Sequence, residues 1–290
     1  MKVIIIGSDS QIGRSLKDKN NKGNDLIYFD KNKLDITNYK QVKNIILETK
    51  PEIIINCSAF TNVVQAESEK KICNNVNNLA LKNLSIIANY CNSTLIHFST
   101  DYVFGGNSNK KYIENDIKNP LSVYGKSKKE GENQIVNACN SYLILRVSWL
   151  FSKYKNNFVN FVIEKLKKNE SIYAVSDLYS IPTYTVEICN FIFYLLEHKK
   201  LNLKKYNDTY HFVNSGPVVS WYDFAIFIKT EYNKINISKS KIIKTTSNDF
   251  FKNNIRPKYS ALNNKKVINE FNYKIEDWQN SIITLLNKVL

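Results

Sequence analysis

The sequence predicts a doubly wound α/β fold, a parallel sheet covered by helices on both faces, joined to a smaller α/β lobe. Three observations predict it. An unbroken apolar run, Val3–Ile6, leads straight into Gly7. Short apolar runs then alternate with stretches of helical period as far as residue 150. Beyond that point the rhythm loosens into a mixture rich in Lys, Asn and Tyr, with no repeat and no linker.

The elements follow in order. Val3–Ile6 reads as a strand buried on both sides, and Gly7–Gly13 as the turn into a helix around Arg14–Lys19. Leu26–Phe29 is a second strand, ending at Asp30. A helix over Asn38–Glu48 leads through Pro51 to a buried strand, Ile53–Ile55. Asn75–Tyr90 has helical period, with Val76, Leu79, Leu84 and Ile87 near one face, and Leu95–Phe98 returns as a strand. A helix over about Lys126–Ala138 and a strand over Tyr142–Val147 complete a first unit, 1–150. In 151–290, helices near Asn157–Lys167 and Val186–His198 flank a strand at Ile172–Val175. That stretch is expected to form mainly a substrate-binding lobe, with segments around 170–200 able to rejoin the first sheet.

Composition narrows the class. Of 290 residues, 43% are apolar and 12% aromatic, enough for a sizeable core. The apolar run before Gly7 is only four residues long, shorter than a leader is expected to need, and no later run reaches membrane-spanning length. The longest, Ile188–Leu196, is broken by Asn190. The five cysteines (57, 73, 91, 139 and 189) are odd in number and never in Cys-x-x-Cys spacing, which argues against a disulfide framework or zinc knuckle. A reducing cytoplasm with no membrane partner is therefore expected. The net charge of +15 would suit nucleic acid, but the lysines are dispersed and never run beyond two. A basic solvated surface is expected instead, one that still favours a phosphate-rich ligand.

Gly7-Ser8-Asp9-Ser10-Gln11-Ile12-Gly13 lies between a strand and a helix, the setting in which backbone N–H groups at a helix start hold a pyrophosphate. Gly7 would permit the tight turn and Gly13 the close approach of helix to sheet, while Ser10 stands where a third glycine is usual. Asp30 ends the second strand, where a carboxylate holds an adenosine ribose, and Lys31 beside it would neutralise a 2′-phosphate. The pair leaves NADH and NADPH both open as cofactors.

The strongest local signal is Tyr124-Gly125-Lys126-Ser127-Lys128. Tyr and Lys four apart share one helix face. A phenol, with an ordinary pKa near ~10, becomes useful at neutral pH when a cation stands beside it. Tyr124 would then protonate a carbonyl oxygen as hydride reaches its carbon, and Lys128 would also bond the nicotinamide ribose. Upstream, Ser99-Thr100-Asp101-Tyr102-Val103-Phe104 sits at the carboxyl end of a strand, and Thr100 offers a hydroxyl to the same oxygen.

With these pieces in order the chain resembles the extended short-chain dehydrogenase/reductases, and within them the dTDP-4-dehydrorhamnose reductase family. The landmarks run through nearly the whole chain: Gly7, Gln11-Ile12-Gly13, Leu34-Asp35-Ile36-Thr37, the segment from Pro51 to Thr61, Ser99–Phe104, Tyr124–Lys128 with Gly131-Glu132, and Arg146–Trp149. Pro182-Thr183, Ser220–Ala225 and Arg256–Ser260 extend them into the second lobe. The resemblance implies a Rossmann fold and reduction of the 4-keto group of a nucleotide-linked deoxysugar, feeding surface polysaccharide synthesis. It implies Thr100, Tyr124 and Lys128 as the catalytic set. Gly7, Gln11, Ile12, Gly13, Asp35, Ile36, Ala59, Phe60 and Thr61 would line the cofactor groove, with Ser10, Asp30 and Lys31. Asp101, Tyr102 and Trp149 would face the sugar beside Thr100, and Asn157 and Arg256 the nucleotide, Arg256 because a guanidinium fork suits a diphosphate. A homodimer is compatible with the family.

There are three departures from the family pattern. Val64 stands where an acidic residue is usual, and Leu178 and Ser180 where Gln and Gly are common. Arg14-Ser15-Leu16-Lys17 replaces the glutamates through which some relatives share a metal, so no metal is expected. Val64 and Leu178 keep open a 4-keto reductase for another nucleotide sugar, and a non-catalytic regulatory subunit of the same fold is a further alternative. A sugar-nucleotide dehydratase or epimerase is disfavoured, since dehydratases generally follow the threonine with Asp-Glu and here Asp101 is followed by Tyr102.

Overall fold

The structure is a computed structural model that describes residues 1–19, 23–154, 157–251 and 256–290, with the side chains of 199–202 outside the description. Strands β1 (Lys2–Ile6), β2 (Asp25–Phe29), β3 (Ile53–Asn56), β4 (Thr94–Thr100) and β5 (Tyr142–Val147) are joined by a strand at Asp208–His211. All six pair in parallel, in the order Asp208–His211, β5, β4, β3, β1, β2.

The unbroken apolar runs have a direct cause. Alternate residues of each strand enter two different cores, Val3 and Ile5 on one face of the sheet, Ile4 and Ile6 on the other. The first face is covered by the helices Gln11–Asp18 and Thr185–Tyr194 through Leu16, Ile188 and Phe191. The second is covered by Tyr39–Thr49, Ala80–Tyr90 and Val123–Ala138 through Ile46, Leu84 and Ile135. A sheet covered on both sides has no polar face, so the alternation expected of a half-exposed strand disappears.

A third core gathers the helices Phe158–Lys167, Trp221–Tyr232 and Trp278–Val289 against a small parallel pair, Ile172–Val175 with Ile242–Thr245. Val103, Phe104 and Tyr112 reach this core from the first half of the chain. The return to the main sheet is made by the Thr185–Tyr194 helix and the Asp208–His211 strand, while Ile172–Val175 stays with the second lobe.

One helix differs from its sequence pattern. In place of a single helix over Asn75–Tyr90, a short helix at Lys70–Asn74 passes through a π-helical turn, Asn75–Leu79, before Ala80–Tyr90. The wide turn breaks the 3.6-residue register and leaves Leu79 exposed instead of facing the core. It also turns the Asn77 side chain fully inward. Several other bounds shift by a few residues: the helix expected from Lys126 begins at Val123, and the strand expected over Leu95–Phe98 extends from Thr94 to Thr100.

Candidate active site

Strand β2 lies on one side of β1 and β3 on the other, so the connections reverse direction at the carboxyl ends of β1 and β3. Ligands of open α/β sheets bind at such a point. Gly7 leaves β1 with φ +77, and a Cβ there would come within 2.6 Å of the Ser58 hydroxyl. A Cβ on Gly13 would meet the Gly7 carbonyl oxygen at 2.5 Å. Only hydrogen fits at either place, which keeps loop, helix and strand close enough for backbone N–H groups to meet a pyrophosphate. Ser10 caps the helix instead of opening the loop further: its Oγ accepts from Gly13 N–H at 3.0 Å.

Gly7, Ser10, Lys31, Asp35, Ile36, Ala59 and Phe60 line a groove of 410 Å³ along this edge. Ile12 and Gly13 are buried beneath it. Phe60 is held by both backbone atoms, its N–H donating to Asn77 Oδ1 at 2.9 Å and its carbonyl accepting from Asn77 Nδ2 at 3.0 Å. Asp30 is not among the lining residues. Its Oδ1 accepts the N–H groups of Asn32 and Lys33, each at 3.0 Å, and so shapes the turn after β2, while Lys31 faces the groove. The cradle without Cβ atoms, the capped helix start and the flanking Lys31 fit a nicotinamide dinucleotide.

A larger cleft of 670 Å³ adjoins it. Gln11 and Thr61 line it on the cofactor side, with Thr100, Asp101, Tyr102, Tyr124, Trp149, Asn157 and Arg256 around the rest. Thr100 is the last residue of β4. Its hydroxyl accepts from Tyr102 N–H at 3.2 Å, donates to Asp101 Oδ1 at 3.0 Å and lies beside the Tyr124 phenol. Burial pushes the Asp101 carboxyl up to about 6. Tyr102 and Tyr124 meet edge to face with ring centroids 5.7 Å apart. Arg256 Nη1 donates to the Tyr102 hydroxyl at 2.9 Å, and its guanidinium lies over the Phe251 ring.

Trp149 adopts φ +43, a backbone region that bulky side chains rarely enter. That turn after β5 lets its indole stack on Trp221 at 3.8 Å and 16°. Asn157 caps the Phe158–Lys167 helix through Asn160 N–H and donates to Gln11 Oε1 and to the carbonyls of Ser152 and Tyr154. It braces the cleft wall while lining it.

Tyr124 is the second residue of its helix, behind the cap made by Ser122, and Lys128 follows one turn later. Lys128 is only 1% exposed. Its ammonium position lies beneath the pocket, 2.7 Å from the Phe98 carbonyl oxygen and 2.9 Å from His97 Nε2. Burial pushes the Lys128 amine down to about 8, against the opposing pull of Glu132 and Cys73. Burial likewise raises the Tyr124 phenol above its ordinary range. The expected lowering of Tyr124 by Lys128 is therefore corrected: desolvation is the largest influence on both groups.

Below them Glu132 accepts two parallel bonds from Arg146, each 2.8 Å, one from Ser99 Oγ at 2.6 Å, and an ion pair from Lys118 at 3.1 Å. Burial alone would raise this carboxyl, yet Arg146, Lys118 and Ser99 together hold it at about 2. The network ties the Tyr124 helix to the strand end that carries Thr100. Sequence reasoning missed Asn56, His97 and Asn77. The available signal was polar residues inside apolar runs, Ile55-Asn56 and Ile96-His97-Phe98.

Val64 and Leu178 do not line the cleft; Val63 does, Val64 is exposed and Leu178 is buried elsewhere. Among the described residues, no helix is long and apolar enough to cross a membrane, and no cluster of metal-ligating side chains occurs.

Residues 1–290 match the family described as the RmlD substrate binding domain. A dTDP-4-dehydrorhamnose reductase from Aggregatibacter actinomycetemcomitans is 36% identical over 285 residues, 97% of each chain. The crystal structure of a dTDP-4-dehydrorhamnose reductase from Bacillus anthracis in complex with NADP superposes with a TM-score of 0.91 at 34% identity, covering 99% of each chain. One from Clostridium acetobutylicum gives 0.91 at 32% identity, covering 100% of this chain and 99% of that one.

Proposed function

The chain belongs to the RmlD substrate binding domain family, and from that membership and the paired grooves we propose that it is an NAD(P)H-dependent reductase of the 4-keto group of a nucleotide-linked deoxysugar, turning dTDP-4-dehydrorhamnose into dTDP-L-rhamnose for surface polysaccharide synthesis. The observation that carries it is the meeting of a dinucleotide-sized groove with a cleft whose wall holds Thr100 and Tyr124 side by side. Cytoplasmic placement belongs to the same reading.

When bound, the dihydronicotinamide supplies the hydride. The chain's own residues do the rest. Tyr124, kept protonated by its buried setting, gives its proton to the developing alkoxide oxygen. Thr100 orients that oxygen with its hydroxyl, which must turn from Asp101 to do so. Arg256, presented by Tyr102 and Phe251, faces the cleft where a diphosphate's charge would lie. Trp149 and Trp221 form an apolar wall that excludes water from the reacting face.

The positions that had kept another sugar open lie outside the cleft wall, and the intact Thr100, Tyr124 and Lys128 favour catalysis over a purely regulatory role. The test is to offer purified protein dTDP-4-dehydrorhamnose with NADPH or NADH and follow the loss of reduced nicotinamide absorbance. Turnover with this sugar supports the reading. Turnover only with a different 4-keto sugar reassigns the substrate, and no turnover with any 4-keto sugar nucleotide removes the enzymatic reading.

A further inference from the structure

Lys128 does not stand alone beneath the pocket. It ends a buried chain of four hydrogen bonds whose directions are fixed by chemistry. Ser58 N–H donates to Asn56 Oδ1 at 3.0 Å. A backbone N–H cannot accept, so this bond sets which end of the Asn56 amide is which, and Asn56 Nδ2 must point the other way, towards His97 Nδ1 at 3.1 Å. An amide NH₂ only donates, so Nδ1 has to be the accepting, unprotonated nitrogen. The imidazole proton therefore resides on Nε2, which faces Lys128 Nζ at 2.9 Å. An ammonium has three donors and no lone pair. A protonated Lys128 would place donor against donor there, whereas a neutral amine accepts from His97 and still donates to the Phe98 carbonyl at 2.7 Å.

We propose that Asn56 and His97 act as a tautomer lock that holds Lys128 as a neutral amine in the ligand-free protein, which makes His97 a positioning residue for the Tyr124–Lys128 pair. Asn56, the last residue of β3, and His97, in the middle of β4, are both fully buried, so water cannot take over the bonds that join Asn56, His97 and Lys128. The other groups that face the amine are Glu132, one turn further along its helix, and the Cys73 thiol from the Lys70–Asn74 helix. Glu132 would favour the ammonium, but its oxygens are already bound to Arg146, Ser99 and Lys118. Burial acts in the same direction as the lock, on both the amine and the imidazole.

The consequence concerns direction. Reduction of a ketone needs the proton on Tyr124 at the start. An ammonium one turn away would pull the phenol towards the phenolate, against the burial that keeps it protonated. A neutral Lys128 leaves the phenol loaded.

The significance of Lys128 rests on the proposed reductase reading, but the lock does not, so it is tested without ligand or turnover. In protein labelled with ¹⁵N-lysine, the amine nitrogen absent from Lys128→Met identifies Lys128, and its shift is followed with pH. The expected result is a midpoint below pH 7, under the value of about 8 to which burial brings the amine against Glu132 and Cys73, and well below those of the surface lysines. Asn56→Asp is nearly isosteric and keeps the Ser58 bond, but its carboxylate accepts from the imidazole, moves the ring proton to Nδ1 and turns Nε2 into an acceptor. Lys128 should then gain at least about ten-fold in proton affinity, raising its midpoint by about one pH unit or more. His97→Leu, should Asn56→Asp not fold, should raise the midpoint as well. In active protein, Asn56→Asp should bring the basic limb of kcat for ketone reduction to lower pH. A Lys128 midpoint above pH 7 in the unsubstituted protein, or one unmoved in Asn56→Asp, overturns the lock.

Discussion

At the scale of single residues, the proposed reaction assigns its chemistry to Tyr124 and Thr100, and their setting explains how they would divide the work. Tyr124→Phe removes only a proton donor from a position 9% exposed, so the fold and both grooves should survive. Turnover should drop by about 10²–10⁴-fold, with NADPH binding, measured by quenching of protein fluorescence, unchanged. Unaltered turnover would remove Tyr124 from its assigned role. Lys31 and Asp30 predict a second difference. Lys31 lines the groove while the Asp30 carboxylate is engaged in its own turn, so Lys31→Glu should weaken NADPH more than NADH, read as the ratio of the two dissociation constants. Tyr124, Thr100 and the glycine loop were legible because each belongs to a short, ordered motif at the end of a strand. His97 and Asn56 were not, because their meaning lies in pairing across parallel strands. A register shift between β3 and β4 would separate them, and no local spacing encodes that register.

At the scale of elements, the Val123–Ala138 helix is the piece on which the site depends, and a buried ion pair adds to the apolar contact of Ile135 in attaching it to β4 and β5. Glu132 lies under Ser99 and Arg146, 1% exposed, with each oxygen engaged. Removing the carboxylate would leave a buried guanidinium without its partner. Glu132→Gln should cost roughly 3–5 kcal/mol in urea unfolding, well beyond what a surface ion pair contributes. The pH dependence has a definite sign. The folded carboxyl is held at about 2, below its ordinary 4.5, so its stabilisation is complete above pH 4.5 and is lost as pH falls towards 2. Glu132→Gln should flatten that part of the stability curve, and an acid limb identical in both proteins would contradict the assignment. The π-helical turn at Asn75–Leu79 shows what a periodicity reading misses at this scale. The apolar pattern there fitted one continuous helix, but the widened turn gives Asn77 four side-chain bonds, to both backbone atoms of Phe60, to Ser127 and to Cys73 Sγ. Satisfying buried polar groups overrode the register that Leu79 would have preferred.

At the scale of the whole molecule, the first half of the chain was readable because burial on both faces writes itself as unbroken apolar runs. The second lobe was harder. Its core takes Val103, Phe104 and Tyr112 from the first half and gives the Thr185–Tyr194 helix back to the main sheet, exchanges that leave no trace in local pattern. The cleft between them is walled by the stacked Trp149 and Trp221, both packed against the second-lobe core. Trp221→Ala should therefore raise KM for the nucleotide sugar, with the NADPH dissociation constant unchanged. The net charge of +15 acts over longer range than either indole. Both ligands of the proposed reaction are diphosphates, and the field of a strongly basic molecule raises their local concentration until salt screens it, with a Debye length near ~10 Å at about 0.1 M. Raising ionic strength from ~0.02 to ~0.5 M should lower kcat/KM several-fold, mostly through KM, while kcat stays nearly constant. The same titration on Trp221→Ala should show a parallel decline, since the aromatic wall acts at contact and the charge at a distance. If salt instead lowered kcat and left KM alone, the basic surface would be acting on the chemistry or the fold rather than on encounter.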